Sequence, residues 1–363
     1  MVGGFAKIVR IAQSVASMMA PTLTGGSIMT KIKSLRIASA RLLAVLAIGV
    51  WGAAPVHAAD WSYKALDPPD TYTGEFATRF WFGQGRTAKN LFATDATLVS
   101  RLTYSGYAIS TAEIFARFDL NNGWFLKGYG GGGGFWAGKL VDEDFPPLTD
   151  PYSATLSPQK FGSLIFTSMD VGFDVVRGPD FRIGAFAGYH FLRETLSAFG
   201  CGQLATNFMI CGGGVPDFVK VITQVNNWNS VRVGLDATVD IGSRTRFSID
   251  AAWLPYVRLS GVDAHWLRLD PFTLGAFNGP VPEDGNGWGY QLDAFLSYRL
   301  SDMLSIGFGA RYWHMETNGF THFEGHVVGF AAAPQPLHWK VDNVGATMQM
   351  TWKLGPYPFI SSM

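Results

Sequence analysis

The sequence contains no uninterrupted apolar run of roughly 20 residues, the length that a helix needs to cross the hydrocarbon core of a bilayer. An excess of charge of either sign is also missing, because 28 Lys and Arg residues balance 28 Asp and Glu residues. These absences exclude a helical membrane anchor in the mature chain and argue against a nucleic-acid partner. The 363 residues, 48% of them hydrophobic, are enough for one large domain.

Cysteine is almost absent, since the chain has only Cys201 and Cys211, both in one glycine-rich segment. In a chain that leaves the reducing cytosol, two neighbouring cysteines predict a local disulfide. A shared metal ion is the alternative, and it has less support because no histidine or carboxylate stands beside the pair to complete a ligand set.

The N-terminal region has the three parts of a secretory signal peptide. Met29 opens a segment with two lysines, residues 42–50 form a short apolar core, and residues 56–58 end in alanine. We expect residues 29–58 to be removed on export. Met29 is then the candidate initiator, and residues 1–28 are a possible upstream extension.

Residues 72–354 alternate between apolar and polar side chains over long segments. In residues 230–240, for example, one face carries valine, leucine and alanine, and the other carries arginine, aspartate and threonine. Several segments extend over roughly 13 to 20 residues, whereas ordinary strands have about 5 to 6. Such long strands are typical of a tilted bilayer crossing, which a closed barrel makes without leaving an unpaired sheet edge.

Short connections rich in Gly, Asn, Ser and Pro alternate with long ones, and this alternation predicts ten strands. The predicted strands are residues 72–90, 97–119, 123–136, 161–176, 180–194, 228–241, 245–258, 288–300, 303–316 and 339–354. A split at Gly106 would give eleven, but only an even number returns the chain to the side on which it began.

The predicted fold class is therefore all-β, a ten-stranded antiparallel transmembrane β-barrel of the outer membrane of a Gram-negative bacterium. We expect short turns in the periplasm and long loops outside the cell. A short periplasmic segment, residues 59–71, would precede the barrel, and a tail, residues 355–363, would follow it.

Two acidic motifs fall in the predicted long loops at the outer rim. Asp142 and Asp144 are separated by one residue, and so are Asp263 and His265. In extended chain, residues two apart point to the same side, so each pair forms one cluster. A carboxylate beside His265 would orient the imidazole as a general base for water. Two adjacent aspartates would repel each other as anions and share a proton.

Other interpretations of the acidic motif remain open. Acidic residues in external loops are often simply solvated. Oxygen donors from Asp142, Glu143, Asp144 and Asp150 would also suit a calcium ion.

The strand before the second motif poses a problem of direction. Under strict alternation, Asp263 and His265 would continue the lipid-facing side of Phe247 and Trp253. We therefore expect a bulge or a break near Gly261, which would turn the motif inward.

With both motifs in place, the chain resembles the omptins, a family of ten-stranded outer-membrane proteases. Asp142-Glu143-Asp144-Phe145 is similar to the family's Asp-x-Asp-aromatic motif, and Asp263-Ala264-His265 to its Asp-x-His motif. The likeness extends over residues 72–354. It implies a peptidase in which Asp263 supports His265, while His265, Asp142 and Asp144 activate the attacking water.

The resemblance also implies a lipid partner, and we expect the barrel to be a monomer. Omptins require lipopolysaccharide on the outer wall, and Tyr189 and Arg193 look like part of such a site, although Phe191 stands where an acidic residue is expected. An aromatic-belt tyrosine beside a rim arginine is the alternative. No other cofactor is implied.

The specificity positions depart from the family pattern. Family members that cut between basic residues carry carboxylates where this chain has Lys89 and Gly261. Without those charges the pocket would not bind arginine by ion pairing, unless Asp150 replaces part of the missing charge. The sequence thus predicts a peptide or protein substrate without predicting basic specificity.

Two other functions and one possible metal site are compatible with parts of the pattern. One is a non-catalytic barrel, which would serve as an adhesin, a structural protein or a narrow channel. Another is a lipid hydrolase, for which no Ser/His pair is evident. His322, His326 and His338 in the last loop would suit zinc or simple solvation.

Overall fold

The structure, a computed structural model, describes residues 72–145, 151–206, 210–211, 213–268, 277–326 and 333–354. The expected signal peptide, the segments beside it, the C-terminal tail and Asp150 lie outside the described residues. No helix within these ranges is long and apolar enough to cross a membrane.

Eleven antiparallel strand segments form one closed sheet in the described part of the chain. They are β1 (Tyr72–Phe92), β2 (Leu98–Leu120), β3 (Trp124–Trp136), β4 (Lys139–Asp144), β5 (Ser153–Arg177), β6 (Phe181–Gln203), β7 (Val215–Ile241), β8 (Thr245–His265), β9 (Val281–Arg299), β10 (Leu304–Thr321) and β11 (Gln335–Leu354). Each pairs with its neighbours in order, and β1 pairs with both β2 and β11. The sheet therefore closes on itself.

The extra segment arises because one barrel strand is interrupted. Both β3 and β4 lie between β2 and β5, so the two segments occupy a single position and the ring has ten positions. Ala137 and Gly138 separate them with φ angles of 57° and 97°. A Cβ atom at Gly138 would lie 2.9 Å from the Cα of Tyr107, so this kink requires glycine. Gly106, where a split seemed possible, is a bulge within a continuous β2.

The strands extend well beyond the predicted limits on the outer side. At the periplasmic end the predicted and observed limits agree to within a residue, but β6 continues to Gln203, β7 begins at Val215 and β8 continues to His265. The prediction that the two acidic motifs lie in loops is therefore wrong. Above the bilayer the outer face contacts water, so the alternation that marks a lipid-facing strand disappears although the pairing continues.

The outer wall carries a belt of exposed apolar side chains. Large apolar side chains on this wall, which would be costly to expose to water, are each between 44% and 62% exposed. They include Phe80, Ile114, Ile165, Met169, Val171, Leu235, Leu296, Phe308 and Met348. An apolar surface of this extent requires lipid rather than water around it. A closed sheet with such a belt is an integral barrel of the bacterial outer membrane.

The lower half of the barrel interior is filled with paired charges. The arginines and lysines point inward between the carboxylates, with Arg311 2.6 Å from Glu113 and 2.8 Å from Asp293. Arg232 lies 3.0 Å from Asp170 in the same layer. A cavity of about 100 Å³ remains among these groups on the periplasmic side.

An aromatic layer closes the lumen above the charges. Trp81 and Trp313 lie 4.9 Å apart between ring centroids, and Phe166 and Tyr129 pack against Trp313 at 5.1 Å and 6.2 Å. Trp81, Phe166 and Trp313 are each 1% exposed. The rings therefore form a buried cluster in the lumen at this height.

A bulge in β8 turns its outer half inward. The pairing of β8 with β9 shifts between Leu254 and Val257, next to Pro255, which has no backbone N–H to donate. Trp253 below the bulge is 46% exposed, whereas Leu259 above it is fully buried. The expected location near Gly261 is wrong, because pairing is regular there, but the expected effect is present.

Cysteine labelling would locate this change of direction. We expect Ser260→Cys to react with a membrane-impermeant maleimide on intact cells, and Leu259→Cys to be protected, because Ser260 is exposed and Leu259 faces the core. Both native cysteines are joined in a disulfide and give no background. Rapid labelling at position 259 would contradict the observed bulge.

Removing one cation from the buried charge layer should destabilise the barrel strongly. Arg311→Met leaves Asp293 without a paired cation and Glu113 with Arg79 alone, at 3.2 Å, and breaking a buried pair in this way costs about 3–5 kcal/mol. Urea unfolding in lipid vesicles measures the change. Arg244→Met, at an exposed turn, is the control and should leave the unfolding midpoint unchanged. Equal midpoints for the two variants would show that the layer contributes little.

Candidate active site

Four predicted catalytic side chains point into the outer mouth of the barrel from facing walls. On β4, Asp142 lies opposite Leu102 and Asp144 lies opposite Ser100. On β8, the bulge directs Asp263 and His265 into the same mouth. Since β5, β6 and β7 separate the two strands, the side chains approach each other across the opening.

His265 and Asp263 form a hydrogen-bonded pair. The imidazole Nε2 is 3.0 Å from Asp263 Oδ2, and the ring of Phe277 packs edge-on against the imidazole at 5.0 Å. Asp263 is 5% exposed. Burial alone would raise the pKa of Asp263, but the charges of His265 and Lys89 outweigh it and hold that pKa well below its usual range. Asp263 is therefore an anion that fixes the orientation of the imidazole.

The two carboxyl groups on β4 have raised pKa values, in contrast to that of Asp263. Burial, followed by the neighbouring charge of Asp144, raises the pKa of Asp142 to about 7, although His265 and Lys89 favour its ionised form. Burial also raises the pKa of Asp144, against a hydrogen bond from Ser100 and the charges of Arg268 and His265. The pair thus retains a proton near neutral pH and lies within electrostatic range of the imidazole.

Comparison with known proteins gives likenesses in structure alone. No family model and no curated sequence matches the chain. The outer-membrane protease OmpT from Escherichia coli superposes with a TM-score of 0.62 and 14% identity, covering 79% of this chain and 97% of OmpT. The chain has the fold of an outer-membrane β-barrel. At 14% identity, the structural similarity to OmpT shows the fold alone and does not show a shared activity.

Other similar structures are more distant. OprG from Pseudomonas aeruginosa matches with a TM-score of 0.30 and 10% identity over 77% of this chain and 96% of its own. Ail, the attachment invasion locus protein of Yersinia pestis, matches with a TM-score of 0.22 and 8% identity over 76% of this chain and 98% of its own.

Lys89 lies beneath the Asp/His pair rather than on a surface open to substrate. Its ammonium group contacts Asp263, lies 2.7 Å from Glu283 Oε1 and 3.4 Å from Gln224 Oε1, and its side chain is 2% exposed. Although burial lowers the pKa of Lys89, the carboxylates of Asp263 and Glu283 outweigh it and raise that pKa above its usual range. Sequence reasoning missed Glu283 and Gln224, because both fall within predicted loops.

Gly261 leaves no room for a carboxylate in the site. A Cβ atom there would lie 2.9 Å from Asn226 Oδ1 and 2.9 Å from the carbonyl oxygen of Val225. The amides of Gln224 and Asn226 are hydrogen bonded to each other at 2.9 Å and occupy this part of the wall. The floor of the cleft is therefore polar and uncharged at this position.

Tyr189 and Arg193 lie on the lipid-facing side of β6, as the alternation predicts. The Tyr189 hydroxyl donates to Asn229, and Arg193 lies between Ile165 and Asn227 on the neighbouring strands. Phe191 separates the two on the same face. The arrangement offers a phenol and a guanidinium to a molecule in the outer leaflet.

A disulfide joins Cys201 at the outer end of β6 to Cys211 in the following turn. Among the residues that the structure describes, no three His, Cys, Asp or Glu side chains are arranged to hold a metal ion. His322 instead pairs with Glu324 at 2.6 Å. Asp150, a candidate for both calcium and specificity, lies outside the described residues.

The proton that Asp142 retains can be observed by difference infrared spectroscopy. A carboxyl group with a pKa of about 7 should lose its protonated-carboxyl band as the pH rises through neutrality, and Asp142→Asn should lack that component. Glu143→Gln is the matched control, because Glu143 points outward and pairs with Arg101 at 2.7 Å. If both variants keep the same band, Asp142 is not the proton carrier.

Proposed function

We propose that the chain is an endopeptidase of the outer membrane, related in mechanism to the omptins. The observation that carries the proposal is the Asp263–His265 pair, at 3.0 Å, facing a carboxyl pair that retains a proton near neutral pH. An oriented base and a carboxylic acid on opposite sides of one opening are the two components that hydrolysis of an amide by water requires.

The geometry supports specific roles for the four groups. His265 Nε2 is engaged by Asp263, so Nδ1 remains to accept a proton from water as the oxygen attacks the peptide carbonyl. The proton that Asp142 retains can be donated to the oxyanion that forms. When the tetrahedral intermediate collapses and the C–N bond breaks, the imidazolium gives its proton to the leaving amine. The new carboxyl group returns its proton to Asp142, so the site regains its starting protonation.

The lumen argues against the channel alternative. Three rings, Trp81, Phe166 and Trp313, pack together in the lumen above the buried ion pairs and are each 1% exposed, which does not suit a water-filled channel. A non-catalytic adhesin or structural barrel remains the alternative against which the peptidase is tested.

The substrate and lipid partners follow from the surroundings of the site. Since Lys89 is occupied by carboxylates and Gly261 faces amides, we infer a peptide substrate with an uncharged side chain beside the scissile bond. We assign Tyr189 and Arg193 to a lipopolysaccharide headgroup, with the guanidinium binding a phosphate. A monomer is sufficient, because all four catalytic groups come from one chain.

The proposal is tested by refolding the barrel with lipopolysaccharide and incubating it with a random peptide library. We expect cleavage by the native chain, a loss of at least about 100-fold in His265→Ala and Asp142→Asn, and near-native rates in Glu143→Gln. Mass spectrometry of the products gives the cleavage positions.

Two results would contradict the assignment. Cleavage that survives in both site variants would come from a contaminating enzyme. A well-folded native barrel that cuts nothing, with or without lipopolysaccharide, would favour the non-catalytic alternative.

A further inference from the structure

Lys89 crosses the mouth of the barrel to reach three strands on the other side. It belongs to β1, while its partners Gln224, Asp263 and Glu283 belong to β7, β8 and β9. Its ammonium also lies 5.6 Å from the centre of the Trp339 ring. A buried side chain with these contacts is fixed in one place.

One carboxylate oxygen serves two donors. Asp263 Oδ2 accepts a hydrogen bond from Lys89 and is also the atom that contacts His265 Nε2. The position of the ammonium group therefore determines the position of the carboxylate that orients the imidazole. Moving the lysine would move the proposed base, although Lys89 touches no substrate.

Without the ammonium group, two buried carboxylates would face the same space. Glu283 would keep hydrogen bonds from Gln224 and Thr321, both at 2.8 Å, but neither donor carries a charge. An unpaired carboxylate is costly to bury, so the space left by the lysine would favour another cation.

We propose that Lys89 is a positioning residue that supplies a built-in cation to a cavity formed by Asp263, Glu283 and Gln224. It holds Asp263 against His265, and it fills the space in which these carboxylates would otherwise bind an external ammonium ion. The catalytic part of this proposal rests on the proposed peptidase function, whereas the cation-binding part can be tested without it.

Chemical rescue of a truncated side chain provides the test. Lys89→Ala removes three carbons and the ammonium group, which together correspond to n-propylammonium. We expect this ion at millimolar concentration to raise the thermal unfolding midpoint of Lys89→Ala. It should leave the native chain and Lys139→Ala unchanged, since Lys139 is exposed on the outer side of β4. Propanol, which has a similar shape and no charge, should have no effect.

Kinetics separate positioning from a general loss of structure. We expect kcat of Lys89→Ala to fall by about 10- to 100-fold, the effect of losing a hydrogen bond to a charged group, with little change in KM. Propylammonium should restore most of the lost kcat. If Lys89→Ala does not fold alone, the refolding yield with and without propylammonium is measured in place of the unfolding midpoint. For the kinetics, the second variant is Lys89→Met combined with Glu283→Gln, which we expect to fold and to have a reduced kcat.

The outcomes distinguish the two proposals. If propylammonium stabilises Lys89→Ala while the native barrel cuts no peptide, the cation cavity stands and the peptidase fails. If propylammonium and propanol act alike on stability and yield, the built-in cation is refuted, whatever the activity of the native chain.

Discussion

Each residue of a barrel strand has two possible directions, toward lipid or toward the lumen, and the strand offers no third. The placement of the candidate site depends on this constraint, because one additional residue exchanges the two directions for everything that follows. In β8 the exchange occurs next to Pro255. Side chains of the same parity as Trp253 face the lipid below this point, and from Val257 onward side chains of that parity face the mouth of the barrel. The same strand thus provides a membrane wall and two catalytic candidates.

Buried charges are paired differently in the mouth of the barrel and in the lower lumen. Below the aromatic rings, the buried arginines Arg117, Arg232 and Arg311 each lie at hydrogen-bonding distance from carboxylates, so their charges are compensated. At the mouth the compensation is unequal. Asp263 receives both Lys89 and His265, whereas Asp142 has a like charge as its neighbour on the strand. Burial, followed by the like charge of Asp144, raises the pKa of Asp142 to about 7, whereas the charges of His265 and Lys89 favour the ionised form of Asp263.

Much of this arrangement could be predicted from sequence. The short turn sequences and the period-two alternation together gave the periplasmic strand limits to within a residue, because lipid on one side and a packed lumen on the other impose opposite chemistry. The spacing of Asp142 with Asp144, and of Asp263 with His265, identified the residues that point into one mouth. The need for a bulge was also evident from the direction of Trp253.

The remaining features depend on contacts between distant strands. Lys89 and Glu283 are 194 residues apart and meet only when the sheet closes, so neither spacing nor alternation identifies them as partners. The outer strand extensions were missed because water on the outer face permits any residue there. Pro255 was overlooked as the bulge because Gly261 looked like the more flexible position.

The aromatic layer has a consequence for the cell as well as for the fold. A bacterium that places a polar, water-filled cleft in its outer envelope risks opening a leak for antibiotics and bile salts. Here Trp81, Phe166 and Trp313 pack together below the cleft, an arrangement that places exposed chemistry at the surface and opposes passage of solutes through the barrel.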